Sequence, residues 1–584
     1  MRKEFSMRPI RIANFSGFFG DRSSALAQML RTAGADVLTG DYLAEVTMSV
    51  LAKQRDRNPG AGYAASFLAQ LRPVLAEFAA GDGRIVVNAG GLQPQSLAAA
   101  VREMAQAGGT PVPVATVVGD DVLDRIAGTD AVPGSDDFCP VTANAYLGGW
   151  GIARALADGA RIVVCGRVAD ASLVVGAAAW WHEWDRDAWD PLAGALIAGH
   201  LIECGTQVTG GNFSGFAATT LSDLAFPVAE IAADGTVVLA KPEPSGGRVS
   251  VDTVTAQLVY EVQGRWYANP DVVADLSTIS LEQTADDVVT VSGTVGAPPP
   301  PTTKVALTGV GGWENSMLIG VTGMDFEAKR QVLEQGVRAA LADIAGISTV
   351  RVELLGCEAQ APTSQNEATG FLRVVAQGPD ESAVGRAFSS VIVELALASF
   401  PGIYLTAPPG RATRLGAYRS VLVDQAVPAH RVIDEDGSIV EIEPPAVTRT
   451  YVEEFDPAAE PATDDAGDGN LVEIRLGALV HTRSGDKGGD ANVGVWAHDA
   501  RVWAWLQNWL TVPRLRRLLP EADDLLIDRV ELPNLRAINF VIRGLLGGGA
   551  ISALRLDSQA KGLGEYLRSC RVEAPKALVS ELTY

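Results

Sequence analysis

Two polar clusters in this chain carry side chains able to move protons or hold anions. The first is His200-Leu-Ile-Glu203-Cys204-Gly205, followed shortly by Thr209-Gly210-Gly211. His and Glu three residues apart share one helix face, so His200 and Glu203 can work as an acid–base pair with Cys204 beside them as a nucleophile. The same pattern also describes a capped helix end with a buried cysteine. His200 is the best titratable candidate, because the chain has only five histidines. The second cluster is His481-Thr-Arg483-Ser-Gly-Asp486-Lys487-Gly-Gly-Asp490. Read as a glycine-rich loop between two strands, it offers Asp486 as a base and Lys487 for a phosphate or enolate. His481 and Arg483 add further donors, and the glycines can form an anion nest. Its alternative is a solvated hairpin turn.

The elements that must position these groups repeat one sentence: apolar strand, small polar loop, helix. It occurs at 11–33, 84–107 and 161–179. Short apolar runs bounded by glycine read as buried strands, and their alternation with helices predicts a parallel sheet. Loops at the carboxyl ends of such strands face one crevice. That rim carries Asn14, Asp21, Asn88, Gly90, Gly91, Arg167 and Asp170 as substrate-binding candidates, with Thr209, Gly210 and Gly211 nearby. Gly90-Gly91, just before Pro94 opens a helix, either lets backbone N–H groups approach an anion or makes a tight turn. Arg167 either grips a carboxylate or phosphate with its fork or pairs with Asp170. Asp120-Asp121 is either a helix cap or, with the crevice carboxylates, a Mg²⁺ ligand set. No resident cofactor is expected.

The chain has 584 residues, 47% hydrophobic and 20% charged, with a net charge of −23. Such a balance, without a basic stripe, argues against a nucleic-acid partner. Five scattered cysteines form no CxxC or Cys/His cluster, which fits a reducing compartment rather than a disulfide framework or zinc site. No apolar run is long enough to span a membrane, and no signal core precedes the first strand. A cytoplasmic protein is expected. The fold class is α/β: a doubly wound, mostly parallel sheet over 8–225, a mixed α+β region over 226–454 with a ferredoxin-like half, and a small α+β domain over 471–584. An acidic linker at 455–470 separates the last two. Within this plan 141–157 reads as a small-residue helix and 257–262 as a strand. Gly148, Gly149 and Gly151 weaken that helix, so close packing must compensate.

Several of these segments together resemble the acyclic terpene utilisation family, the AtuA-like proteins. They are RIANFSGFFGDR (11–22), DYLAEVTM (41–48), VNAGG (87–91), ANAYLGGWGIARAL (143–156), CGRVADASL (165–173), GHLIECGTQVTGG (199–211) and PDVVADLS (270–277). HTRSGDKGGDANVG (481–494) and NLRAINFVI (534–542) resemble that family's ferredoxin-fold domain. The resemblance implies a bacterial catabolic protein of acyclic isoprenoid (citronellol- or geraniol-type) or branched-chain acids, working at the CoA-thioester level. It carries over no catalytic residues. The expected function is therefore an enzyme acting on a carboxylate or acyl-CoA by hydration or lyase chemistry, in a homo-oligomer. The alternative is an accessory protein that binds an acyl-CoA or a carboxylase without turnover.

Overall fold

The computed structural model describes residues 8–129, 132, 138–452 and 471–579. The expected linker at 455–470 lies outside the described residues. Six strands organise the first part of the chain: β1 (Ile10–Ser16), β2 (Val37–Gly40), β3 (Arg84–Val87), β4 (Val114–Val118), β5 (Pro140–Ala145) and β6 (Ile162–Cys165). Five of them lie side by side and parallel in the order β1-β2-β3-β6-β4. The three glycine-ended strands expected to be parallel are therefore members of one sheet.

Because side chains alternate along a strand, this sheet feeds two cores. Ala13, Phe15, Ile85, Val87, Ile162 and Val164 point into one, where the helices Ala25–Thr32 and Pro94–Ala107 pack. Ile10, Ile12, Val86, Val163 and Cys165 point into the other, beneath the helices Trp150–Ala157, Ser172–His182 and Trp189–Glu203. Antiparallel strands extend the sheet at both edges to eleven.

Residues 141–157 are not one helix. Pro140–Ala145 is β5, antiparallel to the long strand Thr302–Thr322, with Ala145 opposite Val305. The helix begins at Trp150. Long-range pairing overrides local propensity here, and Thr142 and Thr308 join their hydroxyls at 2.5 Å across the pair. The expected close packing is real: a Cβ on Gly149 would lie 2.6 Å from Gly176 N, so the two helices touch backbone to backbone. Gln257 likewise belongs to a helix, Val251–Leu258, started by a reciprocal Ser250–Thr253 capping box.

The C-terminal half of the long strand joins three others in the antiparallel order 403–405, 302–322, 369–378, 349–355, with the helix Phe326–Leu341 on the first crossover. That is the split β-α-β arrangement. The last unit is a second antiparallel sheet, 480–487, 490–497, 537–542, 527–532, over a core of Val493, Val495, Ile538 and Phe540. Among the described residues no helix is long and apolar enough to cross a membrane.

Candidate functional site

The carboxyl ends of β2, β3 and β6 deliver Asp41, Asn88 and Arg167 to one place. Asn88 is buried, and both ends of its amide are occupied. Its Nδ2 donates to Asp41 Oδ1 at 2.5 Å, and its Oδ1 accepts from Tyr42 N at 2.8 Å. Asn88 therefore positions Asp41 rather than a substrate. Gly90 and Gly91 also serve packing: a Cβ would lie 2.4 Å from Cys165 O at the first and 2.4 Å from Leu51 at the second, where φ is +51°. Asn14 donates to Ser16 O at 2.9 Å, leaving its Oδ1 buried without a partner. Asp21 accepts from Gly17 N at 2.9 Å and Arg22 N at 2.8 Å, which folds its loop back on itself.

Arg167 is the rim residue that enters the cleft with its charge. Its Nη1 lies 2.6 Å from Asp170 Oδ1, and its guanidinium sits 4.0 Å over the Tyr146 ring. Its backbone N–H donates to Asp120 Oδ2 at 2.9 Å. Burial works against the guanidinium's charge, but Asp170, Tyr146 and Asp41 outweigh it, so Arg167 stays cationic. Asp120 also accepts from Asn144 Nδ2 at 2.8 Å, and burial raises its pKa to about 6. Asp121 caps Leu123 N at 3.2 Å and lies 3.9 Å from Arg55. Among the described residues, no group of three or more His, Cys, Asp or Glu side chains is arranged to hold a metal.

The helix Trp189–Glu203 brings His200 and Glu203 to the same cleft. His200 Nδ1 and Glu203 Oε1 are 3.3 Å apart, and His200 Nε2 is 2.9 Å from Gln257 O. A carbonyl only accepts, so Nε2 carries the imidazole proton and Nδ1 is left to accept from Glu203. The electrostatics agree. Burial, with Lys487, pulls His200 down to about 4. Burial, with Asp170 and Glu261, pushes Glu203 well above the usual carboxylate range. Burial thus holds the imidazole neutral and favours the protonated form of Glu203, whose Oε2 has no partner among the described residues. Burial raises Cys204 in the same way, which keeps it a thiol and removes the nucleophile reading.

The second polar cluster reaches this cleft from the last domain, as a strand and not as a loop. Val480–Lys487 pairs with Asp490–Ala497 residue for residue, from Thr482 opposite Val495 to Lys487 opposite Asp490, and only Gly488-Gly489 turn. Its polarity hides it from a hydrophobic-pattern reading. The strand is buried between two bodies, so its polar residues find partners instead of water. Arg483 Nη1 donates to Asn212 O at 3.3 Å, its other terminal nitrogen bonds Gln207, and its guanidinium lies 4.3 Å over the Tyr260 ring. His481 Nδ1 is 2.8 Å from Ser214 Oγ, against Phe213 and His498. Burial and His498 hold it near 3, so it is a neutral contact between domains. Thr209, Gly210 and Gly211 build the turn that Arg483 meets: Thr209 Oγ1 bonds Thr206 O and Ala225 O, and Gly211 N bonds Thr206 O. Asp486 lies 3.8 Å from Lys561, and burial and Glu261 raise it to about 7. Lys487 acts electrostatically on His200, Glu203 and Glu45.

Three charged residues of the cleft were missed from sequence. Asp41 follows β2 directly, in the same place relative to its strand as Asn88, and that position was its signal. Glu45 stands four residues on. Lys304, in the long strand, had no local signal; it lies 3.5 Å from Glu45 and 4.9 Å from the Tyr146 ring.

Residues 10–433 match the model of the acyclic terpene utilisation family protein AtuA, and residues 474–573 match that of the AtuA ferredoxin-like domain. No curated protein matches the chain in sequence.

Proposed function

The chain belongs to the acyclic terpene utilisation family AtuA, and from that premise we propose that it is an enzyme hydrating, or dehydrating, an acyclic isoprenoid acid held as a carboxylate or CoA thioester. One observation carries the reading. In a single cleft, burial drives Glu203 toward its protonated form beside a neutral His200, while Arg167 and Lys304 keep their charges. Pairs of titratable groups driven apart in this way are what acid–base catalysis needs.

The roles follow from charge. Arg167 and Lys304, with Lys487 beside them, hold the substrate's carboxyl or thioester oxygen and stabilise the negative charge that develops there. Glu203 donates its proton to the α-carbon. Asp486, poised near neutrality, takes the proton of the water that adds to the β-carbon. Run backwards, the same groups eliminate water.

The test is turnover of an α,β-unsaturated isoprenoid acyl-CoA, followed by mass spectrometry for the gain of one water. Arg167→Lys keeps the charge but loses the fork, and should raise KM at least about tenfold. Saturable binding of the acyl-CoA with no turnover would replace this reading with the accessory one.

A further inference from the structure

Beside the cleft, with Tyr146 common to both, lies a cavity of about 260 Å³. Successive strand residues face opposite sides, and the long strand marks the division: Lys304 reaches Glu45 and Tyr146 in the cleft, while Thr303 lines the cavity. Its walls are mostly apolar. Trp150 and Trp189, the first residues of two helices, form one side, and Ile442, Pro444, Pro445 and Val447 form another. That second wall is an extended strap. Ile442 N bonds His430 O at 2.9 Å, Arg449 N bonds Pro299 O at 2.9 Å, and Tyr451 OH donates to Pro298 O.

One cation, Arg186, and three carboxylates, Asp187, Asp271 and Glu443, line this mostly apolar space, and Asp271 and Glu443 support the Arg186 charge from a distance. Arg186 donates from Nη1 to Glu443 O at 2.7 Å and lies 5.1 Å over the Trp150 ring. No carboxylate of the described residues lies within ion-pair distance of it. Asp271, the cavity's buried carboxylate, is already held by Gly149 N at 2.6 Å and by Ser172. A guanidinium has five N–H donors, and four of these have no acceptor among the described residues. His430, also in the wall, is buried toward neutrality, with its pKa near 3, so it adds no second charge.

We propose that this cavity, adjoining the cleft at Tyr146, is a second small-molecule site that takes an aliphatic monocarboxylate: carboxyl on Arg186, chain along Trp150, Trp189 and the 442–447 strap. The match rests on a fork donor without an ion-pair partner, set into a preformed, mostly apolar pocket. The inference does not depend on the reaction proposed for the cleft.

Octanoate is the probe and 1-octanol its uncharged counterpart, both titrated by calorimetry into the full chain. Octanoate titrated into Arg167→Lys, whose cleft has lost its fork, should bind at one site, and Arg186→Gln in that background should weaken it at least tenfold while leaving octanol unchanged. No saturable octanoate binding, or binding that Arg186→Gln leaves intact, overturns the proposal. Should Arg186→Gln fail to fold, 8-bromooctanoate quenching of tryptophan fluorescence decides. Quenching should disappear when Trp150 and Trp189 are both replaced by Phe, and quenching that survives puts the acid elsewhere and overturns the site.

Discussion

The Glu45 end and the Glu203 end of the cleft treat the same side chain in opposite ways. Both glutamates are largely removed from water, which by itself raises a carboxylate's pKa. At the Glu45 end, Lys304 stands 3.5 Å away, with Arg167 and Lys487 behind it. Burial is overcome and Glu45 falls to about 2. At the Glu203 end, Lys487 and Arg167 are answered by Asp170 and Glu261, and burial prevails. An opposite charge near 4 Å is worth about 4 kcal/mol at a protein-like dielectric, roughly three pKa units, so one lysine is enough to separate the two fates. The cleft thereby holds a fixed ion pair at one end and a stored proton at the other. The first suits holding charge, the second suits moving it.

The largest effect should come from removing the stored proton. Glu203→Gln keeps the shape and loses the acid, and turnover should fall by about a hundredfold or more. Its effect on stability has the opposite sign. A carboxyl whose folded pKa is raised stabilises the fold fully below its unfolded value, about 4.3, and that contribution disappears as pH rises through the folded value. The wild type therefore loses stability toward alkaline pH while the variant does not. Melting temperatures should converge near pH 4, and Glu203→Gln should melt higher at pH 8. A variant that melts lower at pH 8 would mean that Glu203 is an ion-paired carboxylate, and the contrast with Glu45 would vanish.

Asp486 gives a second stored proton with a narrower window. Its pKa rises from the ordinary 3.8 to about 7, so the sign is the same and the contribution is lost between about pH 4 and 7. The difference between wild type and Asp486→Asn has an upper bound of about 4 kcal/mol. Urea unfolding should show that difference growing across this range and then flat above it. Equal windows for both would mean that the two acids titrate as one coupled group.

The two ends were not equally legible. Arg167 and the His200–Glu203 pair could be found because each rests on local grammar: a Gly-Arg after a buried strand, and a helical i,i+3 spacing. Parallel strands fixed which loops share a rim, and that held for Asp41 and Asn88 alike. Spacing could not tell that the Asn88 amide is matched atom for atom to Asp41 and Tyr42. Lys304 was invisible because its meaning lies in Glu45, 259 residues away. Residues 481–487 misled for a related reason. Periodicity reports burial against apolar neighbours, and this strand is buried against Gln207, Asn212 and Tyr260.

The smallest effect belongs to the Glu45 end, and it tests whether a fixed ion pair is really there. Lys304→Met keeps most of the stem's length and apolar contact with Tyr146 and Tyr418 but removes the charge. Breaking a fully buried pair costs about 3–5 kcal/mol. Here the two side chains keep 25% and 21% of their exposure, so water and Arg167 recover part of it, and roughly 1–3 kcal/mol is expected. The pH dependence runs opposite to that of Glu203. A carboxylate whose pKa is lowered stabilises the fold above its unfolded value, and that contribution is lost as pH falls through the folded one. The deficit of Lys304→Met should therefore stand from pH 8 to pH 5, shrink below about pH 4, and close as pH falls through about 2, where Glu45 takes up its proton in the wild type too. A deficit that persists to pH 2 belongs to packing, and Glu45 would then need another cation to explain its charge. A double variant, Lys304→Met with Glu45→Gln, separates the two accounts. If the ion pair carries the effect, removing both partners restores most of what removing Lys304 alone costs, because no unpaired carboxylate is left in the cleft.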